Sequence, residues 1–297
     1  MFSTKAQCKL AFIAAMVIFG TVGIFRRFID LPSEVVVMFR SLIGLLFLFA
    51  ALKLQGKRID LDTVRKNGKM LVLSGVFLGA NWTFLFEAYR YASVATATLC
   101  YYMAPVFVIL VSPLFFAESL TGRKIFCAAL AVIGMYFVSG LPVTGFNGAG
   151  ELKGILIGLA SAVFYAALMI SNKKISGVDA YDKTIVQLGV AAVIVFLYAF
   201  LRGSFSALHF STLSVGMLLV VGIVHTGIAY GLYVGAMEKL NAQFIALTSY
   251  FDPIVAIFAS TFFLHEKLGW YGLVGTVLIL GALFLCEFTD RKPGMES

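Results

Sequence analysis

Asp252 is the strongest candidate for chemistry among the polar residues that stand in apolar runs of this sequence. It stands in a long apolar stretch, within Ser249-Tyr250-Phe251-Asp252-Pro253. An ionisable group in such a run is costly, so it marks substrate contact, proton carriage or a hydrogen bond that holds one helix to a neighbour. Ser249 and Thr248, three and four residues earlier, share its helical face. Pro253 has no N–H to donate and so releases the carbonyl of Ser249, while Pro105 releases that of Tyr101. Two freed carbonyls beside Tyr101, Tyr102 and Tyr250 make a polar ligand surface, and the two prolines make gating points.

The other polar residues in apolar runs extend this set. His225 is placed to switch with pH, although a lone buried histidine more often packs. Thr226, Tyr230 and Tyr233 follow it at helical spacing as a polar and aromatic stripe. Asn81 and Trp82 form a second polar-aromatic pair, and Trp82 can stack on a substrate or a cation. Arg40 is expected either to pair with Glu87 or to hold a substrate carboxylate. Arg90, three residues beyond Glu87, offers the ordinary helical ion pair instead. Ser161 and Tyr165 share a face. Glu118 and Glu266 sit at the ends of apolar runs, where they terminate helices or pack in a gate.

The elements that must position these residues follow from composition. The chain has 297 residues, 61% hydrophobic and 13% charged, against about 25% charged in ordinary soluble domains. Such a chain cannot cover a soluble surface, which predicts an all-α membrane protein. Runs of roughly 20 apolar residues are needed to cross a bilayer. Ten are expected, at 7–25, 33–53, 69–89, 93–116, 123–140, 152–172, 182–201, 213–237, 241–264 and 269–288. Continuous apolarity, without alternation, argues against a membrane barrel. The first run, Leu10 to Phe25, ends in Arg26-Arg27 rather than a cleavage site, so it reads as a retained helix. Cys8, Cys100, Cys127 and Cys286 are scattered, with neither a disulfide framework nor a metal-ligand spacing.

The stretch around Tyr101–Pro105 recurs at an offset of 148 residues. Ala88/Ala236, Leu99/Leu247, Tyr102/Tyr250, Pro105/Pro253, Ile109/Ile257, Ser112/Ser260, Phe115/Phe263, Glu118/Glu266 and Leu120/Leu268 are identical pairs without a gap. Trp82 and Tyr230 share this offset, as do Gly79 and Gly227. The chain therefore divides into a five-helix repeat at 1–140, a join at 141–151, a second repeat at 152–290 and a tail at 291–297. Five is odd, so the second copy is inverted in the membrane, as in many secondary transporters. Of the 23 Lys and Arg residues, Arg40 lies inside the second span. Six (Arg26, Arg27, Arg90, Lys153, Arg202 and Lys267) fall on the side opposite the N-terminus, and the other sixteen fall on the N-terminal side. That bias puts both termini in the cytoplasm. The basic loop after the second span needs no nucleic-acid partner. Glycines at four-residue spacing, Gly75/Gly79, Gly154/Gly158 and Gly227/Gly231/Gly235, predict close helix seams.

Ten helices in two halves, each with a proline-bearing helix that ends in glutamate, resemble the EamA-type members of the drug/metabolite transporter superfamily. The matching residues are Tyr102-Met-Ala-Pro105 to Glu118-Ser-Leu-Thr121, then Gly134, and Tyr250-Phe-Asp-Pro253-Ile-Val-Ala256 to Glu266-Lys-Leu268, then Gly275 and Gly281. The resemblance covers essentially the whole chain. It implies a small-molecule transporter of the inner membrane with a central cavity lined by spans 1–4 and 6–9. It does not fix a substrate.

Other classes find little support. The chain has no metalloprotease, nucleophile-elbow or paired-aspartate motif, no loop large enough for a catalytic domain, and no P-loop. A channel would need a selectivity ring, which nothing in the sequence supplies. No cofactor is expected. The expected partners are the bilayer, a small-molecule substrate and protons or an exchanged solute as the energy source. Arg40 and Asp252 offer both charge signs among aromatics, which suits an amino acid or related zwitterion; amphipathic cations are the alternative.

Overall fold

Apolar runs of this length bring their backbone groups into an environment without water, where only a helix satisfies every N–H and C=O within one segment. The computed structural model describes residues 4–116, 121–138, 149–206, 208–237, 240 and 242–289. All its regular elements among these residues are helical: α1 (Lys5–Arg27), α2 (Ser33–Leu54), α3 (Leu61–Lys66), α4 (Gly68–Tyr91), α5 (Val94–Tyr101), α6 (Ala104–Phe116), α7 (Gly122–Val138), α8 (Ala149–Lys174), α9 (Ala180–Leu201), α10 (Thr212–Gly222), a π-helical turn (Ile223–Ile228), α11 (Ala229–Met237), α12 (Ala242–Ser249), α13 (Phe251–Phe263) and α14 (Trp270–Thr289). Glu118, most of the expected join and the expected tail lie outside the described residues; α8 already begins at Ala149, inside the stretch 141–151.

Among the described residues, seven stretches are long and apolar enough to cross a membrane: Lys5–Arg27, Ser33–Leu54, Gly68–Tyr91, Val94–Phe115, Gly150–Lys174, Ala180–Leu201 and Thr212–Met237. Phe251–Phe263 and Trp270–Leu285 are shorter apolar helices. Outward-facing Leu46, Phe49, Val72, Phe126, Phe196 and Phe258 are exposed, which is the surface that lipid requires. The chain is a multi-pass membrane protein.

Two expected continuous helices are broken. The run 93–116 stops at Tyr101 and restarts at Ala104, and the run 241–264 stops at Ser249 and restarts at Phe251. Each break brings Pro105 or Pro253 into the first turn of the following helix. There a missing N–H costs nothing, because the first-turn donors have no partner within the helix. The prolines therefore start helices rather than kink them. The third irregularity, the π-helical turn, carries His225 and Thr226.

The helices pair in a regular pattern. α1 packs on α11 and α13, while α4 packs on α8 and α9. α8 also receives α5 and α6, α2 packs on α9, and α7 packs on α14. The glycine seams lie at these contacts: Gly75 and Gly79 of α4 meet Val190 and Val195 of α9, and Gly158 of α8 meets Cys100 of α5.

Candidate functional site

The two helix breaks border a cavity of about 760 Å³, which Tyr230, two residues beyond the π-helical turn, also lines. Arg40, Asn81, Trp82, Tyr101, Tyr102, Pro105, Tyr230, Tyr250 and Asp252 all line it, as do Phe19, Tyr89 and Tyr165. The lining continues to Asn172 and Lys183, beside the turn between α8 and α9, and to Met237 at the end of α11.

Asp252 is held at the break before α13. Tyr102 O–H lies 2.8 Å from Asp252 Oδ2 and 3.3 Å from the carbonyl oxygen of Ser249. The carbonyl that Pro253 releases thus sits beside the first break's own tyrosine, within the protein. Behind Asp252, α1 comes very close: a Cβ on Gly20 would stand 2.6 Å from the Asp252 backbone oxygen. Only glycine allows α1 this approach. Tyr101 stacks on Tyr165 with ring centroids 4.6 Å apart and planes 7° apart, and meets Tyr102 edge-on. These rings form one wall of the cavity.

Arg40 forms the other charged pole. It does not pair with Glu87, which instead binds Arg90 at 3.3 Å and accepts a hydrogen bond from Ser33 Oγ at 2.7 Å. Arg40 is buried, with its guanidinium carbon 3.9 Å from the Trp82 ring centroid and 4.9 Å from that of Phe86. Its Nε donates to Thr226 Oγ1 at 3.1 Å. Trp82 therefore stacks on the protein's own cation rather than standing free for a ligand. Trp82 and Tyr230, which share the 148-residue offset, meet edge-on at 5.8 Å.

Asn81 ties α4 to α8: its Nδ2 donates to the carbonyl and hydroxyl oxygens of Ser161, whose hydroxyl donates back to the Asn81 carbonyl. Asn81 Oδ1 is buried without a hydrogen-bond partner among the described residues. His225 does not line the cavity. Its Nε2 lies 3.0 Å from the Thr21 hydroxyl, its Nδ1 faces the Val220 carbonyl at 3.4 Å, and Phe25 packs against the ring at 4.8 Å.

Sequence reasoning passes over Gln187, which lines the cavity and bonds Asn172 at 2.6 Å and Ser74 at 2.8 Å. A glutamine inside an apolar run is the signal that could have found it. Glu266 reaches a distant partner: its carboxylate binds Arg27 at 2.9 Å and accepts the Val94 N–H, at the start of α5, at 2.8 Å. Arg27 also donates to the Ala92 carbonyl at 2.7 Å. This cluster ties the end of α1 to the α4–α5 connection and to the segment after α13. None of its residues lines the cavity.

A transporter of Bacillus subtilis strain 168, YxxF, is 31% identical over 289 residues, covering 95% of this chain and 89% of its own. A protein of Escherichia coli K12 named "Probable amino-acid metabolite efflux pump" is 27% identical over 223 residues, covering 71% and 74% of the two chains. A solved protein structure superposes with a TM-score of 0.67 at 19% identity, covering 96% of this chain and 98% of that one, which speaks for the fold alone. The model of the EamA-like transporter family matches twice, over residues 8–140 and 152–287, and the chain belongs to that family.

Proposed function

We propose that this chain is a secondary transporter that carries a small polar or amphipathic metabolite, an amino acid or related compound, across the inner membrane. It does so by opening one central site to the two sides in turn. The observation that carries the reading is a single cavity with a buried cation, Arg40, and an acid, Asp252, neither of which is in an ion pair with a protein group among the described residues. Buried charges left without a counter-ion are costly, and a zwitterion supplies both counter-ions at once. The aromatic wall suits its apolar part. The E. coli relative's name points to the same substrate class.

Ten helices in two inverted five-helix repeats, with both termini cytoplasmic, account for the helix pairing. Exchanging the halves turns the contact of α1 with α11 into that of α8 with α4, and the contact of α1 with α13 into that of α8 with α5 and α6. The α2–α9 and α7–α14 contacts map onto themselves. On this reading the cavity lining reaches the end where Asn172, Lys183 and Met237 lie. The Arg27–Glu266 cluster closes the opposite end.

Proton coupling would run through Asp252. With Asp252 ionised, the single Tyr102 proton goes to Oδ2; with Asp252 protonated, the acid donates to Tyr102 and Tyr102 to the Ser249 carbonyl. Both states keep every partner, so the site tolerates the proton's arrival and departure. The test is counterflow into liposomes that hold the purified chain and an internal pool of unlabelled amino acids. Saturable exchange of labelled amino acid supports the reading, and a non-saturable conductance refutes it. Export of amphipathic cations is the second reading, favoured by the cover that Trp82 gives the Arg40 charge. It requires that Arg40→Gln leave transport intact.

A further inference from the structure

Arg40 sits at an unusual meeting of two helices. Thr226 lies in the π-helical turn, where its hydroxyl donates to the carbonyl of Val221, five residues back, at 2.9 Å. Having donated its one proton there, Thr226 Oγ1 can only accept, and it accepts from Arg40 Nε. The Thr226 methyl lies on Gly44, one turn after Arg40 in α2, at the place a Cβ on Gly44 would occupy. The glycine and the irregular turn together let α2 and this turn come close enough for the hydroxyl to reach Nε. Trp82 and Phe86 pack against the guanidinium. What remains is the terminal edge, Nη1 and Nη2, which makes no hydrogen bond among the described residues although Arg40 is only 4% exposed.

From this geometry we infer that the Nη1–Nη2 edge of Arg40 is a carboxylate subsite, and that Thr226 is the positioning residue that aims it into the cavity. This rests on the transporter reading and narrows it to substrates that carry a carboxylate. A guanidinium offers its N–H groups in a fixed planar fork that fits the two oxygens of a carboxylate in plane. Aromatic packing against the guanidinium leaves in-plane approach from the edge. Lysine keeps the charge but lacks the fork. An amine without a carboxylate would leave the edge unpaired, and a site built around a polar group rejects ligands that cannot meet it.

The test uses the full-length chain with Trp270→Phe. Because the sequence has two tryptophans, Trp82 is then the only tryptophan, excited at the red edge where tyrosine does not absorb. Each neutral proteinogenic amino acid is titrated beside the amine that lacks its carboxylate. The expected result is that one or more amino acids change Trp82 emission, while the matching amines bind at least about tenfold more weakly. Thr226→Ser, which keeps the hydroxyl, should hold that ratio. Thr226→Val, which keeps the shape and loses the acceptor, should weaken carboxylate binding by about tenfold, the loss of roughly one charge-assisted hydrogen bond, and leave amine binding unchanged. Arg40→Lys should bring acid and amine close to parity. Amines binding as tightly as their parent acids, no amino acid binding at all, or Arg40→Lys retaining the preference would each overturn the subsite. A Thr226→Val protein with wild-type selectivity would overturn the role of Thr226. Counterflow of amines without carboxylate dependence would sink this inference and leave the transporter reading standing, whereas non-saturable conductance would sink the transporter reading itself.

Discussion

Asp252 and His225 are both titratable residues in apolar helical stretches, and their surroundings separate them. Asp252 lines the cavity and meets Tyr102 and the break before α13. His225 lies outside the cavity between Thr21 and Phe25, with its Nε2 already bonded. Asp252→Asn is therefore expected to remove the pH dependence of uptake while keeping the protein in the membrane. His225→Gln is expected to lower the apparent melting temperature and leave the pH dependence in place. Uptake measured over a pH series in both variants checks this; pH dependence retained in Asp252→Asn would rule Asp252 out as the proton carrier. Gly20 gives a second expectation for the same spot. Alanine favours a helix by about 1 kcal/mol over glycine. Here the new Cβ would meet the Asp252 backbone oxygen, which has no rotamer by which to move aside. Overpacking typically costs about 1–3 kcal/mol, so the clash outweighs the propensity gain. Gly20→Ala should show a lower melting temperature and weakened transport; a melting temperature at or above wild type would refute the close approach.

Among the elements, α5 depends on a remote residue for its start. Ser93 caps it by accepting the Thr96 N–H at 2.9 Å. Glu266, 172 positions away, takes the Val94 N–H and adds a negative charge at the helix's positive end. Arg27 completes the cluster. If the cluster holds one end of the cavity shut, Glu266→Ala should open that end, whereas Glu266→Gln, which can still accept from Val94, should do so less. The check is Tyr165→Cys in a cysteine-free background, treated with a membrane-impermeant maleimide from each side. Wild-type gating predicts labelling from the N-terminal side alone, and Glu266→Ala predicts labelling from both. Labelling of the Glu266→Ala protein that stays one-sided would remove the cluster from the gate.

At the scale of the whole molecule, the two halves predict an orientation. Gly56 and Gly177, in the turns after α2 and α8, should face the cytoplasm with the termini, and Gly203, after α9, should face outward. All three adopt a positive φ in open turns, so the reporters go at their neighbours Lys57, Ser176 and Ser204, introduced as cysteines and labelled from one side at a time. Ser204 reactive from the cytoplasm would overturn the proposed topology. The 148-residue offset makes the helix pairing partly legible in the sequence. Identical pairs such as Pro105/Pro253 give equivalent positions, and equivalent positions make equivalent contacts. The breaks at Tyr102 and Tyr250 are not legible as breaks, because proline is compatible with a kinked helix as well as a new start.

Composition and the lengths of the apolar runs determined that this chain belongs in a membrane, which segments are apolar, and that Asp252, Arg40 and the tyrosines fall within them. These depend on local solvation, and every residue in a run contributes to them. Only the tertiary structure decided who meets whom: Arg40 with Thr226 and Trp82 instead of Glu87, Glu266 with Arg27, and Tyr102 with Asp252. Hydropathy marks an apolar run without fixing rotation about the helix axis or choice of neighbour. Those are set by where glycines let backbones approach and where a π-helical turn or a broken helix shifts the facing side chains. The polar site arises from these irregularities, so the sequence names most of its members without revealing their partners.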